Sequence, residues 1–143
     1  MNKGMIIAAV AVAGIATAAL WIFAGPDAPQ PQPAASGKNA PPQVAIPSVF
    51  SDTAKMGEKA FDAVCAACHG ENAAGTEVGP PLVHRIYEPS HHGDQAFELA
   101  VANGVRAHHW KFGNMPPQPG LTKADVATIV AYVRELQRAN GID

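Results

Sequence analysis

The sequence predicts an all-α protein, a small three-helix domain behind an apolar N-terminal segment. Three observations carry that expectation. Residues Met5 to Ala24 run without a charge. Near the C-terminus Val126, Ile129, Val130, Val133 and Leu136 recur at helical spacing and form one apolar stripe. No credible strand lies between them. At 143 residues the chain holds one domain plus appendages. The 48% hydrophobic content is inflated by the N-terminus, so the folded part is small, about 90 residues, near the lower limit for a self-sufficient core.

Met5 to Ala24 is preceded by Lys3 and followed by Gly25-Pro26-Asp27. Twenty helical residues rise about 30 Å, the thickness of a bilayer core. The rival reading is a cleaved signal peptide with Ala16-Thr17-Ala18 as its processing site. Against it, Leu20, Trp21, Ile22 and Phe23 stay apolar where a mature N-terminus turns polar, and Trp21 suits an interfacial anchor. The expectation is an uncleaved signal anchor over residues 1–24, in a bacterial inner membrane. Lys3 and the terminal amine hold the N-terminus in the cytoplasm, which places the rest in the periplasm. No cysteine stands directly after the run, which excludes a lipoprotein. Residues 25–50 contain Pro26, Pro29, Pro31, Pro33, Pro41, Pro42 and Pro47 among Gln, Ala, Ser and Gly, the composition of a polyproline or coil linker.

The folded domain is expected over residues 51–143. Ser51 or Asp52 can cap a helix through Lys55, Gly57, Phe61 and Val64. Gly70 to Pro89 carries Gly75, Gly79, Pro80, Pro81 and Pro89 and reads as loop. Gly93-Asp94 opens a second helix, Gln95 to Asn103, with Phe97, Ala100 and Val101 at helical spacing, ended by Gly104. Val105 to Gly120 is a second loop. Thr122-Lys123-Ala124-Asp125 fits a capping box and starts the last helix, stopped by Asn140-Gly141.

Between the first helix and the first loop stands Cys65-Ala66-Ala67-Cys68-His69, the attachment signature of c-type haem. On a helix Cys65 and Cys68 share a face and His69 follows one turn after Cys65. Two thiols can then form thioethers to two vinyl groups of one porphyrin, and the imidazole reaches the iron. A thioredoxin-type dithiol needs a βαβ context, which the flanks lack. A structural zinc site needs about four ligands, and both cysteines of the chain are already in the motif. The expected cofactor is one covalent haem c. A net charge of −2 excludes a strongly basic nucleic-acid binder. No serine–histidine–acid set or phosphate-binding glycine loop offers other catalytic machinery.

From about residue 51 onward the sequence resembles class I c-type cytochromes, the small monohaem kind, here in a membrane-anchored bacterial form. Four blocks carry the resemblance: Gly57-x-x-x-Phe61-x-x-x-Cys65-x-x-Cys68-His69, Gly79-Pro80-Pro81-Leu82, Met115-Pro116-Pro117, and Ile129-Val130-Ala131-Tyr132-Val133. The resemblance implies a carrier of single electrons between redox protein partners rather than an enzyme. It also implies that the Pro80 carbonyl accepts from the His69 imidazole, and that an aromatic of the last helix packs across the first helix near Gly57 and Phe61. Met115 stands in the distal-ligand loop. Met1 and Met5 lie in the wrong segment and Met56 is on the helix leading to His69, so Met115 is the expected second iron ligand. His108 or His109 could displace it. Trp110 and Arg106 could hydrogen-bond a haem propionate. The alternatives are a haem subunit of a larger oxidoreductase, and a ligand-binding or sensor haem protein with a labile distal ligand.

The stretch from His84 to His109 is a departure, because the family does not require its histidines. His91-His92 and His108-His109 flank the second helix, which at about ten residues is only about 15 Å long. Its end loops could therefore meet, and imidazoles suit copper or zinc. The plainer expectation is solvated or propionate-bonded loop histidines. Neighbouring residues of a strand-like loop point opposite ways, so at most one of each pair would serve a single site.

Overall fold

The computed structural model describes residues 43–143. The expected apolar span and most of the Pro-rich linker lie outside the described residues. No helix among the described residues is long and apolar enough to cross a membrane. Four helical segments follow one another: α1 (Asp52–Val64), α2 (Ala66–His69), α3 (Asp94–Asn103) and α4 (Lys123–Ala139). Among the described residues the one piece of β pairing is an isolated antiparallel bridge, Val105 to Met115.

The two longest helices, α1 and α4, begin where a side chain satisfies free backbone N–H groups. The Ser51 hydroxyl accepts from the Ala54 N–H at 3.1 Å and caps α1. At α4 the Thr122 hydroxyl accepts from the Asp125 N–H at 3.2 Å, and the Asp125 carboxylate accepts from the Thr122 N–H at 2.9 Å. That is the reciprocal box expected of Thr122 to Asp125. Helix α3 ends at Gly104, whose φ of +73° no β-carbon tolerates easily. The Gly70–Pro89 stretch is less irregular than expected, since it contains two short 3₁₀ turns, Glu71–Ala73 and Arg85–Tyr87.

Helices α1 and α4 cross in close contact, and this crossing is the core. A β-carbon on Gly57 would sit 1.9 Å from the Thr128 carbonyl oxygen, so only glycine lets the backbones meet there. Phe61 and Tyr132 fill the crossing, with ring centroids 5.5 Å apart, and Ala54, Val133 and Leu136 are buried beside them. The Tyr132 hydroxyl donates to Asn72 Oδ1 at 3.2 Å. Burial, followed by the nearby Glu58, Asp62 and Glu71, pushes its phenol well above its ordinary range.

The last part of the linker belongs to the packed domain. The Phe50 ring packs tilted against Tyr132, centroids 5.3 Å apart, and Val44 packs against the core. Asn140 holds the Ala45 backbone at both ends, accepting from its N–H and donating to its carbonyl, each at 2.9 Å. The domain therefore starts before the expected Ser51, because two apolar side chains and one amide pair are enough to bind the incoming strand to α4.

Arg134 and Gln137 are buried on α4, although both are polar. Arg134 donates to Asp94 Oδ1 (2.8 Å), the Tyr87 carbonyl (2.7 Å), the His92 carbonyl (2.5 Å) and Gln137 Oε1 (2.6 Å). Gln137 donates to the Leu82 and Tyr87 carbonyls at 2.8 and 3.0 Å. A loop without regular pairing leaves its carbonyls unsatisfied. These two side chains meet that need and fasten the 82–92 segment and α3 to α4.

Candidate functional site

Helix α1 ends at Val64, Cys65 forms a turn, and α2 carries the remainder of the motif. The chain hardly deviates at this break. The Cys65 N–H still donates to the Phe61 carbonyl at 2.7 Å, and the His69 N–H to the Cys65 carbonyl at 2.9 Å. Cys65 is half-buried and Cys68 exposed. Burial, with the neighbouring Cys68 as a lesser cause, pushes the Cys65 thiol up to about 11, so it is held protonated at neutral pH.

The turn that follows is shaped to reach back to His69. A β-carbon on Gly79 would lie 2.4 Å from the Cys68 carbonyl oxygen. The absence of one lets residues 79–80 lie directly against α2. The Thr76 hydroxyl donates to that same carbonyl at 2.6 Å and accepts from the Val78 N–H at 3.1 Å. In this position the Pro80 carbonyl stands 2.9 Å from His69 Nδ1, as the resemblance implied. With Nδ1–H donating there, Nε2 keeps its lone pair. Burial lowers the imidazole's affinity for protons, and the Pro80 bond opposes this in part.

His69, Cys65 and Cys68 line one wall of a cavity of about 500 Å³. Met115 lines the same cavity from the loop after α3. Its backbone is fixed by the bridge to Val105, with N–H to carbonyl distances of 2.9 and 3.0 Å. The Gln118 N–H donates to the Val101 carbonyl at 2.8 Å, and Asn114 Oδ1 accepts from the Ala107 N–H at 3.0 Å. The loop is thus braced on both sides of the methionine. The other methionine among the described residues, Met56, is exposed on α1 and absent from the cavity wall.

The cavity fits a large flat apolar group with polar ends. Its volume lies in the range of cofactor pockets, roughly 300–1,000 Å³. Phe61, Leu82, Phe97, Val101, Ile129 and Val130 supply apolar wall. One buried donor is unmatched. Trp110 Nε1–H, on the same wall, has no hydrogen-bond partner, although the Tyr87 hydroxyl is near enough to feel it. A buried N–H of this kind costs free energy until an acceptor arrives, and a carboxylate of the bound group would satisfy it. Arg106, the other residue expected to meet a propionate, is exposed and absent from the cavity wall.

The histidines depart from expectation. His91 and His92 do not alternate across a strand. They stand in a turn where both N–H groups donate to the Glu88 carbonyl, at 3.0 and 2.8 Å. Both rings then emerge on one side, each with Nδ1 on the Ile86 carbonyl, at 3.0 and 2.6 Å. His109 comes to both from the far loop, with ring centroids 5.1 Å from His91 and 5.2 Å from His92. His84 lies apart from them, its ring 5.0 Å from that of Trp110.

Sequence reasoning had no role for Tyr87, Arg134 or Gln137. The two polar residues of α4 did carry a signal. Arg134 follows Val130 by four residues and Gln137 follows Val133 by four, so both extend the buried stripe.

A small all-α domain built around a haem-attachment motif and a cavity with a thioether on its far wall is a c-type cytochrome fold. Residues 54–137 match the family model described as Cytochrome c, and the chain belongs to that family. It is 35% identical over 96 residues to the CcoP subunit of a cbb3-type cytochrome c oxidase from Azospirillum brasilense. That alignment covers 62% of this chain and 30% of the relative, so the chain spans less than a third of that protein's length. No solved structure matches. As a member of this family the protein carries covalently bound haem c and serves electron transfer.

Proposed function

We propose that this protein is a membrane-tethered monohaem carrier passing single electrons between respiratory or other periplasmic redox partners. Cys65 and Cys68 would hold the haem through thioethers, and His69 and Met115 would bind its iron. The observation that carries this reading is the placement of a neutral imidazole and a braced thioether on one apolar cavity. Haem c supplies a one-electron iron couple when bound there. The chain's own residues do the rest. The Pro80 carbonyl fixes the His69 ring and strengthens it as a donor, the Val105–Met115 bridge fixes the backbone that carries the thioether, and the apolar wall keeps out water that would compete for the iron. Trp110 Nε1–H is positioned as a donor to a propionate.

The tether rests on the uncharged Met5–Ala24 run behind Lys3 and on the prolines that follow. The 26 residues from Gly25 to Phe50 reach about 80 Å as polyproline and roughly 30 Å as coil. The packing of residues 44–50 shortens that reach. A tether keeps the domain at high effective concentration near membrane partners. The likeness to an oxidase subunit supports a second reading, a haem subunit docked on a larger complex.

A redox-titrated optical spectrum with carbon monoxide tests the ligation. The ferrous protein should resist carbon monoxide, and the ferric protein should show the weak long-wavelength band of thioether ligation. Met115→Ala should lose the band and bind carbon monoxide rapidly. An unchanged band and potential in that variant would overturn Met115 as ligand. Bis-imidazole spectra in the wild type would point to His108 or His109. Retention in membranes after an alkaline carbonate wash tests the tether, and wild-type protein recovered from the periplasm with an N-terminus at Ala19 would refute it.

A further inference from the structure

Among the described residues, one group of metal-ligating side chains stands outside the proposed haem ligands. One ring nitrogen from each of His91, His92 and His109 lies within 4.8 Å of the other two. Imidazoles bound to one ion at about 2.0–2.1 Å in tetrahedral geometry hold their nitrogens a little over 3 Å apart, a spacing that these three rings approach. The tautomers are already arranged for it. His91 and His92 both donate Nδ1–H to the Ile86 carbonyl, which leaves Nε2 of each as a free lone pair. A backbone carbonyl on the non-ligating nitrogen is the support that metal-bound histidines generally carry.

The scaffold is also rigid where a site needs it to be. The His92 carbonyl is gripped by Arg134, itself only 7% exposed on α4, and the His92 ring packs at 5.1 Å on Tyr87. His108 sits at the edge of the group, 4.2 Å from the His109 ring and with its Nδ1 on the Arg106 carbonyl. It can fill a fourth position or leave it to water.

We propose that His91, His92 and His109 form a second metal site, separate from the haem iron, for a single divalent transition-metal ion. Three imidazoles without thiolate suit copper, nickel and zinc, and among divalent ions copper binds such donors most strongly. The site opens to solvent through His91 and His109, while His92, His108 and His109 also border the haem cavity. The ion therefore binds beside the haem, on ligands contributed by the two loops that flank α3. The proposal rests on the reading that Met115, and not His109, holds the haem iron opposite His69.

The test uses the haem-loaded full chain, prepared without an affinity tag and stripped with chelator. Cupric and zinc salts are then titrated separately by calorimetry, and the one-to-one copper form is examined by electron paramagnetic resonance. One copper per chain is expected, with nitrogen splitting from three imidazoles and weaker uptake of zinc. His91→Gln with His109→Gln should weaken copper binding by about 100-fold or more, since losing a mere supporting group already costs about 10–100-fold. Both residues are exposed, and an unchanged haem spectrum verifies that the variant is folded. Uptake below one ion per chain, or equal affinity in the double variant, would overturn the site. Tighter binding of zinc than of copper would overturn the choice of ion.

Discussion

Gly57→Ala should unfold the crossing of α1 and α4 more easily than any other single methyl group added to α1. The new β-carbon would lie 1.9 Å from the Thr128 oxygen, 2.4 Å from its carbonyl carbon and 2.9 Å from the Ile129 nitrogen. All three are backbone atoms in the middle of a helix, so no side-chain rotation relieves the contact. Ordinary contact distances are close to 3.5 Å, so the helices would have to separate by more than about 1 Å. That loosens the Phe61–Tyr132 packing beside it. Overpacking typically costs about 1–3 kcal/mol, and an all-backbone clash belongs at the upper end. Alanine's helix propensity returns about 1 kcal/mol at most. A net loss of about 2 kcal/mol lowers Tm by roughly 8–16 °C in a domain of this size. The assay is thermal unfolding of the haem-loaded protein by circular dichroism, with Gly120→Ala as control. Gly120 has open space around its would-be β-carbon and no positive φ, so that change should be neutral or slightly stabilising. If Gly57→Ala melts within about 2 °C of wild type, the close-approach argument fails.

Three further outcomes follow from the same packing. Tyr132→Phe should cost about 1 kcal/mol near neutral pH through the lost Asn72 bond. Because the folded phenol is held above its ordinary value of 10.0, its contribution is fully present below about pH 10 and is lost as pH rises further. The wild type should therefore weaken above pH 10 in denaturant titrations while the Phe variant stays flatter, and parallel curves would refute this. Arg134→Met should cost roughly 3 kcal/mol by orphaning loop carbonyls, whereas Asp94→Ala should cost under about 1 kcal/mol because that carboxylate is 69% exposed; equal costs in urea unfolding would show that the ion pair, not the carbonyl set, fastens the loop. Gly79→Ala should push the turn off Cys68, lengthen the His69–Pro80 bond, weaken His69 as a donor and so raise the haem reduction potential, and an unchanged potential with normal haem content would contradict that geometry.

What the sequence determined by itself is local. Ser51 and the Thr122–Asp125 box start their helices through hydrogen bonds spanning three residues, and Gly104 ends α3 through its own backbone freedom. Such signals depend on neighbours in the chain, so they can be read from it. The attachment motif is legible for the same reason, since Cys65, Cys68 and His69 lie within two helical turns. The tertiary structure decided whatever requires two distant segments to meet. Residues 44–50 look like spacer until Tyr132 and Asn140 give them something to bind. Arg134 and Gln137 fall on the buried stripe of α4 by spacing, but only the irregular loop carbonyls that need donors explain polar side chains there. Arg106 and Trp110, four residues apart, have the same chemical claim on a propionate, yet only Trp110 reaches the cavity wall. The histidines are the sharpest case. A rule about alternation along an extended chain allowed one ring from each pair, and a turn around the Glu88 carbonyl placed two on the same side. No local pattern reports that turn, because Arg134, more than forty residues further along, holds it in place.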